Sequence, residues 1–374
     1  MSRVIDLAGH EAIYATRLLA ECGHDVVRIE PSRGDDLRRT GPFLGDRIDL
    51  EHGAYHQFLN AGKRSMTLNL STPSARRVFL DLIATSDVLL GGAPLPFEES
   101  ELFEANPRLV LTQVFDGAPE LCAFARSGLL SITGHPDGRP TLLGGHAIYA
   151  AIGLYAAVAT SAALFVLELT GEGQVVNVSA EECLESLFEQ AMVTYATTGQ
   201  RTERRGYRGA VTAVSGGFPC SDGYAMFSIP HTPEGWTRFM EWVQDPVLMA
   251  DSSLVEEAER YEKRDFILDR LETWSRRFAK MDTVAEAQRR HIPASPVSTV
   301  LDLVDDPQLL ARGFLAEIDH PVFGRIRFPR GAMATILEKP AGLAPRLGQH
   351  NQEILCELGY SEAEQQALLE IGAF

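Results

Sequence analysis

The sequence predicts an α/β fold in which parallel strands alternate with helices, accompanied by a second domain. Three observations predict this fold. Short apolar runs alternate with segments of helical periodicity in the first half, as is typical of a parallel sheet covered on both faces. The 374 residues suffice for two domains of about 150 residues each. With 45% hydrophobic and 23% charged residues, the composition is that of a folded globular chain.

The elements of the first half follow in order. Residues 4–7 are expected to form a strand, residues 11–22 a helix that ends at Gly23, and residues 25–29 a second strand. The pattern continues with a helix over 73–85, strands over 87–90 and 108–115, and helices from Glu120 onward. Ligands of such sheets usually bind beyond the carboxyl ends of the strands, so we expect the functional site there.

One later segment needs a separate interpretation. Residues 147–167 are almost wholly apolar and about long enough to span a bilayer. Their many alanines, together with Thr160 and Ser161, suit close helix packing better than lipid, and a turn and a strand follow directly. The sequence therefore predicts a buried core helix.

The second half begins with a change of composition. Residues 197–217 are polar and rich in arginine, which indicates a linker into a second domain. That domain is expected to contain a strand over 224–229 and helical segments near 233–243, 253–280 and 283–291. The chain closes with a hairpin pattern over 316–328 and a helix whose start, Ser361 followed by Glu364, is a capping box.

Charge and cysteine content exclude several classes of function. The formal net charge of −17 disfavours nucleic acid and membrane surfaces as primary partners. The five cysteines have no Cys-x-x-Cys spacing, so we expect neither a disulfide framework nor a zinc site, but a reducing cytoplasm. The start of the chain has no signal-peptide apolar region. His10-Glu11 and the pair His52 and His56 come nearest to ligand spacing, and a polar surface is the simpler interpretation.

Common catalytic and nucleotide-binding motifs are missing. The loop after the first strand is Ala8-Gly9-His10-Glu11 rather than a dinucleotide Gly-x-Gly-x-x-Gly, and the chain has no phosphate loop and no Gly-x-Ser-x-Gly elbow. Two basic pairs, Arg38-Arg39 and Lys63-Arg64, could meet over an anionic ligand after successive strands. Solvated surface charge is the alternative, and the residues alone leave both open.

Short segments spread along nearly the whole chain carry a resemblance to a known family. They include GHDVVRIEP (23–31), GDDLRR (34–39), NAGKRS (60–65), NPRL (106–109), TGEGQVV (170–176), PCSDGY (219–224), RGF (312–314) and RLGQH (346–350). In order and spacing the chain resembles the family III CoA-transferases of the CaiB/BaiF type, which include formyl-CoA transferase, the carnitine/crotonobetaine CoA-transferases and the α-methylacyl-CoA racemases.

The resemblance implies an architecture. A large Rossmann-like parallel-sheet domain is formed by both chain ends, a smaller α+β domain is inserted, and two subunits form an interlocked dimer. The corresponding ranges are 1–198 for the first part of the large domain, 199–217 for the linker, 218–313 for the small domain and 314–374 for the return segment. CoA or acyl-CoA is expected on the large domain, and no metal. The residues expected to bind it are Arg28, Arg38, Arg39, Lys63, Arg64 and Leu68.

The resemblance also implies a nucleophile that this chain lacks. In the family an aspartate attacks the acyl thioester, and alignment on Thr141, Gly144 and Gly153 places Tyr149 at its position. A phenol, with a pKa near 10, cannot form the acyl anhydride and CoA thioester as a carboxylate does. Glu120 and His146 are the remaining candidates for catalysis. The simpler alternative is that Glu120 only begins a helix and His146 belongs to a loop.

Other departures concern binding. The segment after the strand at 87–90 lacks its usual arginine, the active-site loop before Glu120 is shortened, and Pro31 replaces an arginine that often contacts the nucleotide. We therefore expect the non-catalytic or accessory subunit of a heteromeric CoA-transferase, such as those that activate aryl- or alkyl-succinates, with a homologous subunit as partner. One alternative is a self-sufficient acyl-CoA transferase, isomerase or lyase that uses Glu120 or His146, with a second copy of itself as partner. Another is a binding protein that has lost CoA.

Overall fold

The chain forms two compact units. The computed structural model describes residues 1–208, 212–333, 337–338 and 342–374. Unit 1 contains Met1–Leu129, Leu143–Met192 and the described part of Asp306–Phe374, and unit 2 contains Leu130–Leu142 and the described part of Val193–Asp305. Residues 130–142 group with unit 2 and residues 306–313 with unit 1, which differs from the segments expected from the sequence.

A parallel sheet organises unit 1. Its six strands run in the order β3-β2-β1-β4-β5-β6, and every neighbouring pair is parallel. The prediction of a mixed α/β fold with a large parallel sheet is confirmed. The strands of the described chain are β1 (Arg3–Leu7), β2 (Asp25–Glu30), β3 (Arg64–Thr67), β4 (Val88–Gly92), β5 (Val110–Phe115), β6 (Gln174–Ser179), β7 (Ser215–Cys220), β8 (Gly223–Ser228), β9 (Ala294–Pro296), β10 (Leu315–His320) and β11 (Gly324–Pro329).

Helices cover the sheet and form much of unit 2. They are α1 (Ile13–Glu21), α2 (Ala54–Leu59), α3 (Pro73–Ala84), α4 (Glu99–Ala105), α5 (Glu120–Arg126), α6 (Leu129–Ile132), α7 (Ala147–Thr170), α8 (Ala180–Ser186), α9 (Glu189–Thr198), α10 (Pro233–Val243), α11 (Pro246–Ala250), α12 (Glu257–Glu262), α13 (Arg264–Ser275), α14 (Lys280–Arg289), α15 (Val300–Val304), α16 (Pro307–Ala311), α17 (Asn351–Glu357) and α18 (Glu362–Glu370). Short 3₁₀ turns lie at Leu37–Arg39, Leu44–Asp46 and Ser252–Val255.

Several elements differ from the sequence-based expectation. The helical stretch expected over 253–280 is divided into a 3₁₀ turn, α12 and α13, because Lys263 leaves the helical backbone conformation between the last two. The linker expected to end at residue 217 already contains β7, which pairs with β8 in the antiparallel sheet of unit 2. The hairpin formed by β10 and β11 and the capping box at Ser361 are confirmed.

The core of unit 1 explains why its central strands carry apolar residues at adjacent positions. One face of the sheet, with Ile5, Val27 and Leu111, packs in a single cluster with Phe79 and Leu82 of α3. Val4 and Val26, whose side chains alternate to the other face, are also buried. Parallel strands covered on both faces need apolar residues at successive positions, which is the pattern observed.

Helix α7 is buried on one face only. A Cβ at Gly153 would lie 2.8 Å from Cβ of Tyr14, so this glycine permits the close approach of α7 to α1. The Thr160 hydroxyl lies 2.8 Å from that of Thr112 on β5. By length and composition α7 could cross a membrane, and 44% of its most apolar window is buried. The predicted core helix thus also exposes apolar side chains, namely Leu154, Tyr155, Val158, Phe165, Val166 and Leu169.

Candidate active site at the carboxyl ends of β1, β4 and β5

The strand order of unit 1 defines where a ligand is expected. The sheet runs in one direction from β1 to β3 and in the other from β4 to β6, so connections diverge between β1 and β4. This reversal opens a crevice at the carboxyl ends of the strands. His10 and Glu11 follow β1 there, Gly92 ends β4, and Glu120 begins α5 shortly after β5.

The structure brings Glu120 and His146 together. His146 Nδ1 lies 3.1 Å from Oε2 of Glu120, with side-chain exposures of 44% and 14%. The second oxygen of Glu120, Oε1, is buried and has no hydrogen-bond partner among the described residues. His146 is the residue before α7 and has a left-handed backbone conformation, with φ of 56°, which ends the preceding loop. Both side chains therefore belong to one site.

Tyr149 lies in the first turn of α7, beside this pair. Its hydroxyl donates a 3.5 Å hydrogen bond to the carbonyl oxygen of Ala118. Burial raises the pKa of the Tyr149 phenol, and the nearby carboxylates Glu120 and Glu11 raise it further. The phenol is therefore neutral near pH 7 and can donate a hydrogen bond, but it is not an anionic nucleophile.

Rings of His10, Tyr55, His146 and Tyr149 form a cluster around the same point. The centroids of Tyr55 and His146 are 4.7 Å apart, those of His10 and Tyr55 are 6.0 Å apart, and those of His146 and Tyr149 are 6.3 Å apart. Burial raises the pKa of Tyr55 to about 12 and lowers the pKa of His10, so both groups are neutral at pH 7. The cluster gives the site flat, largely uncharged walls.

Glu11 is a site residue that the sequence analysis noted only as part of a metal-like spacing. A Cβ at Gly9 would lie 2.8 Å from the Glu11 carboxylate, a Cβ at Gly92 would also collide with it, and one at Gly117 would lie 3.5 Å from its Cγ. These three glycines follow or end β1, β4 and β5, so their lack of side chains leaves room for Glu11. The sequence signal that could have identified Glu11 as a site residue is its position in the loop that follows the first strand.

Arg28 and Lys63, both expected to bind CoA, are buried in an ion cluster with Asp6. Arg28 Nη1 lies 2.8 Å from Oδ1 of Asp6, and Lys63 Nζ lies 2.9 Å from Oδ2. Arg28 Nη1 also donates to the carbonyl of Ala8, and Asp6 accepts from the backbone N–H of Ala8. Buried cations need buried anions, and these two hold the start of the loop that carries His10 and Glu11; their binding of CoA stays a prediction.

The other predicted basic residues also have internal partners. Arg38 is fully buried, with Nε 2.6 Å from Oε1 of Glu30. Arg39 donates to the carbonyl oxygens of residues 33–35. Arg64 lies at the amino end of β3, 2.9 Å from Asp25. Because parallel strands place their amino ends at the opposite edge of the sheet, Arg64 cannot join the other cations over one ligand. The structure therefore does not bring together the two basic pairs, whose meeting over an anion the sequence left open.

Leu68 is buried at the wall of a cavity. It lines a cavity of 430 Å³ at the carboxyl ends of β1, β2 and β3, together with Leu7, Ile29 and Leu70. Arg33 also lines this cavity, and its guanidinium is exposed without an ion pair among the described residues. Arg39 donates a 2.6 Å hydrogen bond to the carbonyl oxygen of Arg33 and so supports the loop that carries this guanidinium. We refer to this cavity as the Leu68 cleft.

The described residues contain no group of three or more His, Cys, Asp or Glu side chains arranged to hold a metal ion. The five cysteines, all within the described part of the chain, form no disulfide with one another. The side chains gathered at the crevice are carboxylates, imidazoles and phenols, and the Leu68 cleft combines apolar side chains with Glu30 and the guanidinium of Arg33.

This fold occurs in solved proteins. The structure of a CaiB/BaiF family protein from Brucella suis matches 96% of this chain and 98% of its own, with a TM-score of 0.82 and 25% identity. The profile described as CoA-transferase family III matches residues 2–351. The chain belongs to CoA-transferase family III, whose substrates are CoA thioesters.

Two characterised relatives cover nearly the whole chain. Succinyl-CoA:mesaconate CoA-transferase of Haloarcula marismortui is 31% identical over 96% of this chain and 95% of its own length. Succinyl-CoA:(R)-benzylsuccinate CoA-transferase subunit BbsE of Thauera aromatica is 30% identical over 99% of this chain and 97% of its own. Both names describe CoA transfer from succinyl-CoA, and the second describes a subunit.

Proposed function

We propose that this chain is the accessory, non-catalytic subunit of a heteromeric CoA-transferase that moves CoA between succinate and an aryl- or alkyl-substituted succinate. The observation that carries the proposal is Tyr149. It occupies the position that the resemblance assigns to the nucleophilic aspartate, and its raised pKa keeps it a neutral phenol. Acyl transfer through an anhydride needs a carboxylate at that point. The similarity to a relative named as a subunit supports the same proposal.

The Leu68 cleft supports binding of CoA by this subunit. Its apolar walls suit a flat adenine ring, and the free guanidinium of Arg33 suits a phosphate. Arg33 thus offers a cation close to Pro31, where relatives often have an arginine. The fold is kept and the nucleophile is replaced, as expected of a subunit that retains a binding or structural role. Turnover would then come from the aspartate of a homologous subunit.

The exposed apolar face of α7 is our proposed contact with that homologous subunit. Phe165 is 62% exposed, and five further large apolar side chains lie exposed along the same helix. A monomeric soluble protein rarely leaves so large an apolar patch in water. The family resemblance implies an interlocked pair of subunits, and the name of the Thauera aromatica relative implies a partner of another sequence.

Affinity-tagged chain, purified from cells that make it naturally, is expected to carry a homologous chain with aspartate at the position of Tyr149. Phe165→Glu should abolish this co-purification, because a charge buried in an apolar interface costs several kcal/mol. Leu369→Glu on α18, where Leu369 is 51% exposed, is the matched control and should retain the partner. Mass spectrometry of the purified material is the measurement. A stable homodimer with full transferase activity would contradict the proposal.

A second candidate function rests on the Glu120–His146 hydrogen bond. A carboxylate with one oxygen bonded to an imidazole and the other buried without a partner resembles a general base or nucleophile awaiting a substrate group. On this account the chain is a self-sufficient acyl-CoA transferase, isomerase or lyase. Glu120 or His146 would then move the proton or accept the acyl group.

Glu120→Gln separates the two candidates. For an accessory subunit, we expect turnover of the complex to change by less than about tenfold, because the partner's carboxylate does the chemistry. For a self-sufficient enzyme, turnover by the chain alone should fall by about 10²–10⁴-fold while CoA binding persists. Glu168→Gln, an exposed carboxylate at the far end of α7, is the matched control. Steady-state kinetics and CoA titration on each variant are the measurements.

A further inference from the structure

An arginine-lined cavity lies wholly within unit 2, apart from the residues discussed so far. It has a volume of 540 Å³, and the arginine-rich segment after α9 forms much of its wall. The residues that line it are His135, Pro136, Asp137, Arg201, Glu203, Arg204, Arg205, Tyr207, Arg208, Arg264 and Asp265. Five of these eleven are arginines, in a chain whose formal net charge is −17.

Some guanidinium groups of this cavity bond to carboxylates, and others do not. Arg208 pairs with three carboxylates of α13: Nη1 lies 3.1 Å from Asp265 Oδ1, and Nη2 lies 2.5 Å from Asp269 Oδ1 and 3.0 Å from Glu272 Oε1. Arg204 donates only to backbone carbonyl oxygens, at 3.3 to 3.4 Å, and so keeps its full charge. The side chains of Arg201 and Arg205 are exposed and have no hydrogen bond or ion pair within the described ranges.

Arg264 adds a buried nitrogen, Nε, that makes no hydrogen bond within the described ranges. Its nearest carboxylate oxygen, on Asp265, is 3.8 Å away. Arg201, Arg204, Arg205 and Arg264 are thus four guanidiniums without a hydrogen-bonded carboxylate. Two other carboxylates line the cavity, those of Asp137 and Glu203, and they offset two of these four positive charges.

We propose that this cavity binds a compact multivalent phosphate anion, with a pyrophosphate group as the recognised unit. Guanidinium groups match phosphate oxygens in geometry and charge, and several unpaired ones around one space favour an anion with more than one charge. Eight of the eleven lining residues carry a charged side chain, and the others are His135, Pro136 and Tyr207, so the recognised part is the oxyanion. Free pyrophosphate and the pyrophosphate of CoA are two sources of this group.

Calorimetric titration of the full chain with sodium pyrophosphate tests the proposal and needs no transferase activity. We expect binding to one site that weakens as ionic strength rises. The double variant Arg201→Gln/Arg205→Gln should bind at least about tenfold more weakly, since each charge-assisted hydrogen bond is strong. Both side chains are exposed, so folding should be kept. The matched control, Arg47→Gln/Arg312→Gln, removes two exposed arginines of unit 1 and should bind as the wild type does.

Competition identifies the source of the group. If CoA displaces pyrophosphate from the wild type, the cavity takes the pyrophosphate of CoA, and if CoA does not, it takes free pyrophosphate or a similar anion. Either result upholds the proposal. No binding of pyrophosphate at millimolar concentration, or equal affinity in the two double variants, would overturn it. Loss of an oligomer in Arg201→Gln/Arg205→Gln without pyrophosphate binding would instead assign the cavity to an acidic segment of another chain.

Discussion

Asp6→Asn is expected to lower the free energy of unfolding by about 3–5 kcal/mol, because it leaves Arg28 and Lys63 buried without their shared counter-ion. Asp6 is fully buried and also accepts hydrogen bonds from the Ala8 N–H and the Thr16 hydroxyl. Asp36→Asn removes an exposed carboxylate nearby and should change stability by less than about 0.5 kcal/mol. Urea unfolding of both variants is the measurement.

Acid unfolding gives an independent readout of the same cluster. Burial alone raises the pKa of Asp6, but Arg28 and Lys63 overcome this and hold it below its ordinary 3.8. A carboxyl group whose pKa is lower in the folded state contributes stability that is present above the unfolded pKa and is lost as the pH falls through the folded pKa. As the pH falls below about 4, the free energy of unfolding of Asp6→Asn should therefore decrease less than that of the wild type. An unfolding free energy equal to that of Asp36→Asn would contradict this role.

CoA exchange by the chain alone is expected to be undetectable, and exchange by the complex at least about 10³-fold faster, because removal of a covalent nucleophile costs factors of this size or more. The physical reason is Tyr149, whose pKa is raised by burial and by neighbouring carboxylates. In the complex, Tyr149→Phe should change turnover by less than about tenfold, since the phenol donates only a long hydrogen bond to Ala118. Replacing the nucleophilic aspartate of the partner subunit by asparagine should abolish turnover.

Much of the sheet could be predicted from periodicity, and the exceptions have physical reasons. The residues of β1, β2, β4 and β5 are apolar at successive positions because both faces are buried. Strand β3 went unpredicted, since its four residues are Arg64, Ser65, Met66 and Thr67, and its polar side chains bond to partners far along the chain. Ser65, for example, donates to Glu30. No local pattern reports such a contact.

The candidate site was predicted in part. Glu120 and His146 are 26 positions apart in the sequence, and only their loops after β5 and before α7 bring them within 3.1 Å. The basic residues were misjudged for the opposite reason. A sequence shows that Arg28, Arg38 and Lys63 are cations, but not that Asp6 and Glu30 face them in the interior. A cation without a counter-ion can be identified only from the folded structure, where the positions of the nearby carboxylates are known.

The most direct test of the account is CoA exchange between succinyl-CoA and isotopically labelled succinate by the purified chain alone, with CoA binding followed in the same sample. We predict that CoA binds and that no label enters succinyl-CoA until the homologous subunit is added. Exchange by the chain alone would contradict the account. It would mean that another carboxylate of this chain forms the acyl intermediate, and Glu120 would be the first to replace.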